Sequence, residues 1–270
     1  MKRLGAALFF MALVFAGLAP SAGQASDDAE RLDILVFGAS GRVGSRVVDE
    51  ALGRGHRVTA VSRDPARIER QHAGLVVAQG DVLDAASVAS LSAGQDVVVV
   101  TVRGSLDDSG EPRQTVHYAA VEVLVRVLRG MGAAAPRLIF VGGAGSLEVE
   151  PGVTYWESLG SFSKTFIPGF ILQEIQGHLL VLEYLRGVDD LRWTYLSPPK
   201  TFKPGKRTGR YRVGGDAMLT DARGRSRISM EDYAVALVDE AENGNFIGTR
   251  FTVASDEAAD GDAKQYGSEK

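Results

Sequence analysis

A Rossmann-like α/β architecture, a doubly wound, mostly parallel sheet of about seven strands with helices on both faces, is predicted by three observations. Short runs rich in Val, Ile and Leu alternate with amphipathic stretches from residue 32 onward. The runs are dense in β-branched residues, which suits strands covered on both faces. A glycine-rich turn separates the first run from the first amphipathic stretch.

In chain order, residues 32–37 (Leu-Asp-Ile-Leu-Val-Phe) read as a buried strand and 43–52 as a helix. Residues 57–62 and 75–79 read as the second and third strands, 84–91 as a short helix, and 96–102, nearly pure valine, as the fourth strand. Val116, Ala119, Ala120, Val123, Leu124, Val127 and Leu128 recur at helical spacing on one face. Residues 137–141 are the fifth strand, 173–186 a helix, and 192–196 a strand. Pro198-Pro199, Pro204-Gly205 and Gly214-Gly215 then break the chain into loops and short strands up to Ile228. Ser229-Met230-Glu231-Asp232 resembles a capping box, with Asp where Glu or Gln is usual, and starts a helix through Val238. Residues 251–253 close the sheet, and the polar stretch 255–270 reads as a tail. No internal repeat is present.

Gly38-Ala39-Ser40-Gly41-Arg42-Val43-Gly44 occupies the turn after the first strand. The first glycine permits a tight turn, the second lets backbone approach a diphosphate, and the third lets helix and strand pack closely. The helix start adds free N–H groups and a partial positive charge. In this strand–turn–helix–strand frame the motif predicts a dinucleotide site. An NAD site usually ends its second strand with an acid that binds the ribose 2′-hydroxyl. Here Ser62 and Arg63 stand there, with Arg67 one helical turn on. Guanidinium groups suit a 2′-phosphate, so NADP(H) is preferred over NAD(H). Asp64 reads as the cap of the segment opened by Pro65. Asp81 and Val82 would lie at the adenine edge; Asp81 reads equally as an adenine contact or a turn aspartate.

With 45% hydrophobic and 24% charged residues, the 270-residue chain has an ordinary globular composition. A net charge of −4 with no long basic run argues against nucleic acid as a partner. With no cysteine, disulfides, thiolate metal sites and cysteine nucleophiles are excluded. The four histidines (His56, His72, His117, His178) lack metal-ligand spacing, so no metal is expected. Residues 1–25 differ: Lys2-Arg3, an uncharged run from Leu4 to Ala19, then small residues at Ser21, Ala22, Gly23 and Ala25. This is the layout of a cleaved signal peptide, with cleavage after Ala25 preferred to Ala22. An uncleaved anchor is the alternative and would be the only membrane contact. The leader implies export, the polar residues 26–31 read as a linker, and a mis-assigned start codon would instead leave the protein in the cytoplasm.

Several further stretches carry a family resemblance. They are Gly80-Asp81-Val82, Ala93-Gly94-Gln95-Asp96, residues 141–147 (Val-Gly-Gly-Ala-Gly-Ser-Leu), Trp193-Thr194-Tyr195-Leu196-Ser197-Pro198, residues 204–216 and residues 226–234. With the glycine turn and Arg63-Asp64/Arg67, they resemble the NAD(P)H-binding, NmrA-like atypical short-chain dehydrogenase/reductases, especially the NADH-flavin reductase branch. The chain is also similar to the biliverdin-IX-beta (flavin) reductases. The resemblance spans residues 32–254 and implies a single domain that passes hydride to a flavin-like or other conjugated small molecule. It implies that Thr101 and Val102 line the ribose side, Gly142 and Gly143 lie beneath the nicotinamide, and Pro198 with Pro199 shapes the carboxamide wall. His178 aligns loosely with a histidine of the relatives, where an ordinary imidazole pKa would suit proton relay.

Departures limit the chemistry. Within residues 32–254 no tyrosine has a lysine four residues later, so the Tyr-x-x-x-Lys route to alcohols and ketones is missing there; Tyr266 and Lys270 have that spacing but stand in the polar tail. Gly143 stands where flavin-reducing relatives carry serine, and Ser146 lies three residues on. A Gly-x-Ser-x-Gly nucleophile elbow is absent. Tyr155, Trp156, Phe162, Phe166 and Phe170 read either as a floor for an acceptor ring or as ordinary packing. The rival to a reductase is a non-catalytic NADP(H)-binding redox sensor. Epimerisation of a nucleotide sugar is disfavoured by the missing tyrosine base.

Overall fold

The computed structural model describes residues 31–256. The expected leader (1–25), the linker up to residue 30 and the tail from residue 257 lie outside the described residues. Strands Asp33–Phe37 (β1), Arg57–Ser62 (β2), Leu75–Gln79 (β3), Val97–Val100 (β4) and Arg137–Val141 (β5) form the first half of the sheet. Glu148–Glu150 (β6) and Val153–Thr154 (β7) make a small hairpin. Trp193–Ser197 (β8), Thr201–Lys203 (β9), Tyr211–Gly214 (β10), Arg227–Ser229 (β11) and Thr249–Ser255 (β12) follow. The helices are Gly44–Gly53 (α1), Ala85–Ser92 (α2), Val116–Met131 (α3), Tyr155–Ser158 (α4), Ser161–Thr165 (α5), Gly169–Arg186 (α6) and Met230–Asn243 (α7).

The sheet runs β10-β12-β8-β5-β4-β1-β2-β3. All neighbours are parallel except β10, which pairs antiparallel with β12. The fold is therefore the doubly wound α/β type that the sequence predicts, with one strand more. Its two-sided core follows from period-two alternation in the strands. Ile34, Val36, Val97, Val99 and Ile139 join Val47, Val48 and Leu237 on the α1–α7 face. Leu35, Phe37, Val98, Val100 and Phe140 join Leu124, Leu128 and Val181 on the α3–α6 face. Strand order reverses between β1 and β4, so a crevice opens over their carboxyl ends, where ligands of such sheets bind.

Several boundaries differ from expectation, and three of the differences have a plain physical reason. α6 starts at Gly169 rather than 173, because its first turn faces solvent and carries no core periodicity. α7 continues to Asn243, where Gly244 (φ 63°) supplies the left-handed stop. β12 extends to Ser255, held by β10 across Tyr211, so the polar stretch begins inside a strand. Ser229 caps α7 by accepting from the Asp232 amide at 3.0 Å. Asp232 does not complete the box. Its carboxylate accepts instead from the Thr208 and Gly209 amides (2.6 and 2.8 Å) and the Thr208 hydroxyl (2.7 Å), which pins the loop ahead of β10.

Candidate functional site

Gly38 leaves β1 with φ +81°, a conformation that side chains resist, and a Cβ there would lie 2.7 Å from Thr101 Oγ1. Gly41 N–H closes the turn onto the Gly38 carbonyl at 2.9 Å. A Cβ on Gly44 would collide with that carbonyl and lie 2.6 Å from Thr101 Oγ1. Thr101, just past β4, donates to the carbonyls of Phe37 (2.9 Å) and Gly38 (3.1 Å), so it buttresses the turn. No side chain caps α1 at Val43; the Ser45, Arg46 and Val47 amides bond back to the Gly41 and Val43 carbonyls, and the Arg42, Val43 and Gly44 amides just ahead of them are left for a ligand or water. Backbone packed to this degree, with an uncapped helix start, fits a diphosphate.

Two cavities lie over the strand ends. The first, about 380 Å³, is lined by Gly38, Ser40, Gly41, Ser62, Arg63, Asp64, Arg67, Asp81, Val82, Thr101 and Val102 among others. Ser40 and Ser62 hydroxyls meet at 3.2 Å, tying the glycine turn to the end of β2. Asp64 caps the turn at Pro65–Arg67 by accepting from Ala66 N–H at 3.2 Å. The guanidinium groups of Arg42, Arg63 and Arg67 have no hydrogen-bond or ion-pair partner among the described residues. Asp81 closes a turn with Oδ1 accepting from Leu83 N–H at 3.0 Å.

The second cavity, about 290 Å³, shares Gly41, Thr101, Val102 and Arg103 with the first. Arg42, Val43, Val141, Gly142, Glu174, His178, Phe202 and Met230 complete it. Gly142 lies flat on the buried Tyr195 ring, where a Cβ would come 2.7 Å from the phenol oxygen. The Tyr195 hydroxyl donates to the His178 carbonyl (3.0 Å) and accepts from Gly143 N–H (3.3 Å). Burial raises its pKa far above the ordinary value. Gly143 and Pro198 line neither cavity: Gly143 packs under His178, and Pro198 is buried at the end of β8. Ser146 is turned elsewhere, its carbonyl and hydroxyl facing Arg250 Nη1 at 3.3 and 3.4 Å.

His178 departs from its expected role. Its ring stacks on His117 with centroids 4.0 Å apart and planes 10° from parallel. His178 Nδ1 and both nitrogens of His117 are buried without a hydrogen-bond partner. Burial, with the neighbouring His117 and Arg103 charges, holds His178 well below its usual pKa; burial takes His117 down to about 4 despite the opposing pull of Glu174. Both imidazoles are neutral at pH 7, so His178 offers a hydrogen bond but no relay of the ordinary kind.

A consequence for stability follows. His117 takes up its proton near pH 6.5 when unfolded and only near 4 when folded, so the unfolded chain binds more protons between those values. Stability contributed by the neutral ring is complete above about pH 6.5 and is lost as pH falls toward 4. Urea unfolding should show on the order of 2 kcal/mol less stability at pH 5 than at pH 7 from this group. His117→Gln should flatten that slope; an unchanged slope would contradict the assignment.

The sequence did not single out Arg103, Glu174, Phe202 or Met230. Arg103 pairs bidentately with Glu174 (3.0 and 2.6 Å) across the second cavity. Its position two residues past Thr101 was the available signal; Phe202 and Met230 come from the irregular C-terminal third and gave none. Among the described residues no group of three or more His, Asp or Glu could hold a metal ion, and no helix is long and apolar enough to cross a membrane.

Residues 38–242 match the profile of the NAD(P)H-binding family. A proposed epimerase from Bacteroides thetaiotaomicron is 34% identical, with TM-score 0.71, over 84% of this chain and 99% of its own. A proposed exported protein from Burkholderia pseudomallei is 39% identical, with TM-score 0.68, over 83% and 99%. A proposed NADH-flavin reductase from Streptococcus pneumoniae is 27% identical, with TM-score 0.67, over 83% and 100%.

Proposed function

The chain belongs to the NAD(P)H-binding family, and from that premise we propose a reductase that prefers NADP(H) and reduces a flat, conjugated acceptor such as a flavin. The observation that carries this reading is the junction of the two cavities at Gly41, Thr101, Val102 and Arg103, a dinucleotide groove opening into an acceptor-sized chamber. When bound, the cofactor supplies a hydride. Gly38, Ser40, Gly41, Arg42, Val43 and Gly44 would hold its diphosphate, with Ser62, Arg63 and Arg67 at the 2′-phosphate. Asp81 and Val82 would meet the adenine, and Thr101, Val102 and Gly142 would line the route to the second cavity.

The side chains there orient and exclude water more than they move protons. Tyr195 is committed to backbone partners, and the two stacked histidines stay neutral. An acceptor needing no strong acid suits such a chamber. The proposed NADH-flavin reductase from S. pneumoniae supports it by likeness, whereas the proposed epimerase from B. thetaiotaomicron points to a reaction for which this cavity offers no tyrosine base. The exported relative likewise supports reading residues 1–25 as a leader. The same scarcity of acid–base groups favours one second reading, an NADP(H)-binding sensor without turnover.

Steady-state oxidation of NADPH with FMN, riboflavin and quinones separates them. Turnover with at least one planar acceptor is the expected result. Cofactor binding without turnover on any of them would leave the sensor.

A further inference from the structure

Phe162, Phe166 and Phe170 are 79%, 73% and 62% exposed, although aromatic rings of that size are normally core material. Phe162 and Phe166 meet edge to face at 5.0 Å, and Lys164 lies 4.0 Å over the Trp156 ring, so the segment has local contacts while its phenyl rings stay largely exposed. On α6, Phe170, Glu174 and His178 follow at intervals of four and share one face. Glu174 and His178 line the second cavity, so that helix face runs from Phe170 into the chamber, and Phe166 stands three residues ahead of the helix start. Glu174 is held by Arg103 and presents a compensated charge along the way.

The chamber itself, about 290 Å³, sits at the lower bound of roughly 300–1,000 Å³ typical of small-molecule pockets. A fused-ring molecule seated in it would project past the mouth. Three phenyl rings expose on the order of 400 Å², about half of the roughly 800 Å² that each partner gives to a stable dimer. The cluster is too small to close a copy interface and the right size and chemistry to stack one ring system.

Resting on the reductase reading, we propose that Phe166 and Phe170, backed by Phe162, form an outer stacking platform that selects fused-ring planar acceptors over single-ring ones. The reactive part of the acceptor sits in the chamber by Gly142, and its distal ring lies against the phenyl faces. These residues position the acceptor; they take no part in bond making.

The test is binding in the presence of NADP⁺, followed by fluorescence quenching for FMN and riboflavin and by calorimetry for benzoquinone as the single-ring probe. In Phe166→Ser/Phe170→Ser, fused-ring affinity should fall about 10-fold. Benzoquinone and NADP⁺ affinities should not move and the melting temperature should move little, since both rings are largely exposed. Phe170→Tyr should keep most of the affinity. Unchanged fused-ring binding in the double variant, an equal loss for both ring classes, or a wild-type chain that binds no planar ring would overturn the platform. A dimer that dissociates on substitution with fused-ring binding intact would make the cluster a copy interface and overturn it too. Turnover that persists with unaltered ring affinity removes the platform alone; ring binding weakened by the variant in a protein without turnover removes the reductase reading alone.

Discussion

Gly44→Ala is expected to cost at least 100-fold in affinity for NADP(H), measured by calorimetry on protein whose fold is checked by circular dichroism. The added methyl would collide with the Gly38 carbonyl and lie 2.6 Å from Thr101 Oγ1, and the first of these is backbone that cannot swing aside. Relief requires α1 to back away from β1, which moves the leading amides of the helix from wherever a diphosphate would sit. Overpacking of this kind costs about 1–3 kcal/mol of stability, enough to lower the melting temperature without unfolding the chain. Gly53→Ala is the matched control on the same helix. A Cβ there meets nothing within 4 Å, and the change should be neutral or stabilising by up to about 1 kcal/mol. Normal binding by Gly44→Ala would show that the turn does not grip a diphosphate.

The second large effect concerns cofactor choice. Arg63→Gln/Arg67→Gln should weaken NADPH by roughly 100-fold and shift NADH by no more than about three-fold. The reasoning is one of competition. Most arginines near the sheet's rim already have carboxylates: Arg46 with Glu231, Arg54 with Glu50 and Asp239, Arg70 with Asp49. Arg63 and Arg67 line the cavity without such partners, so a phosphate would gain their full attraction with no ion pair to break. Two charge-assisted hydrogen bonds at about 1.5–3 kcal/mol each set the size of the effect. Equal losses for NADPH and NADH would instead place the arginines on the shared diphosphate.

Much of this was legible from residues 32–141. There each strand is a short β-branched run, each helix an amphipathic stretch, and the glycine turn has a fixed place between them, so local pattern and tertiary position agree. The strand bounds Arg57–Ser62, Leu75–Gln79 and Arg137–Val141 follow directly. The C-terminal third was harder because its elements are made by partners far away in sequence. β10 exists through its pairing with β12, and β9 through β11. The hairpin β6–β7 and the two short helices after it have no buried face of their own to impose a period. In the site, the lining of the first cavity was legible because the glycine turn and the arginines after β2 have fixed places in a strand–turn–helix–strand frame. The second cavity was not: His178 was visible, but His117, 61 positions earlier, stacks on it and changes its chemistry.

Tyr195 carries a last implication. Its single phenolic oxygen joins the strip after β5 to the wall formed by α6, with its proton given to one and a lone pair to the other. A group so occupied has nothing left to lend a reacting molecule. Under the reductase reading, the proton that completes acceptor reduction is drawn from solvent, and turnover should stay level between about pH 6.5 and 9, where enzymes built around a tyrosine or an ordinary histidine bend. Such a chamber tolerates many acceptors of the right shape, since it asks them for flatness and not for a particular acidity.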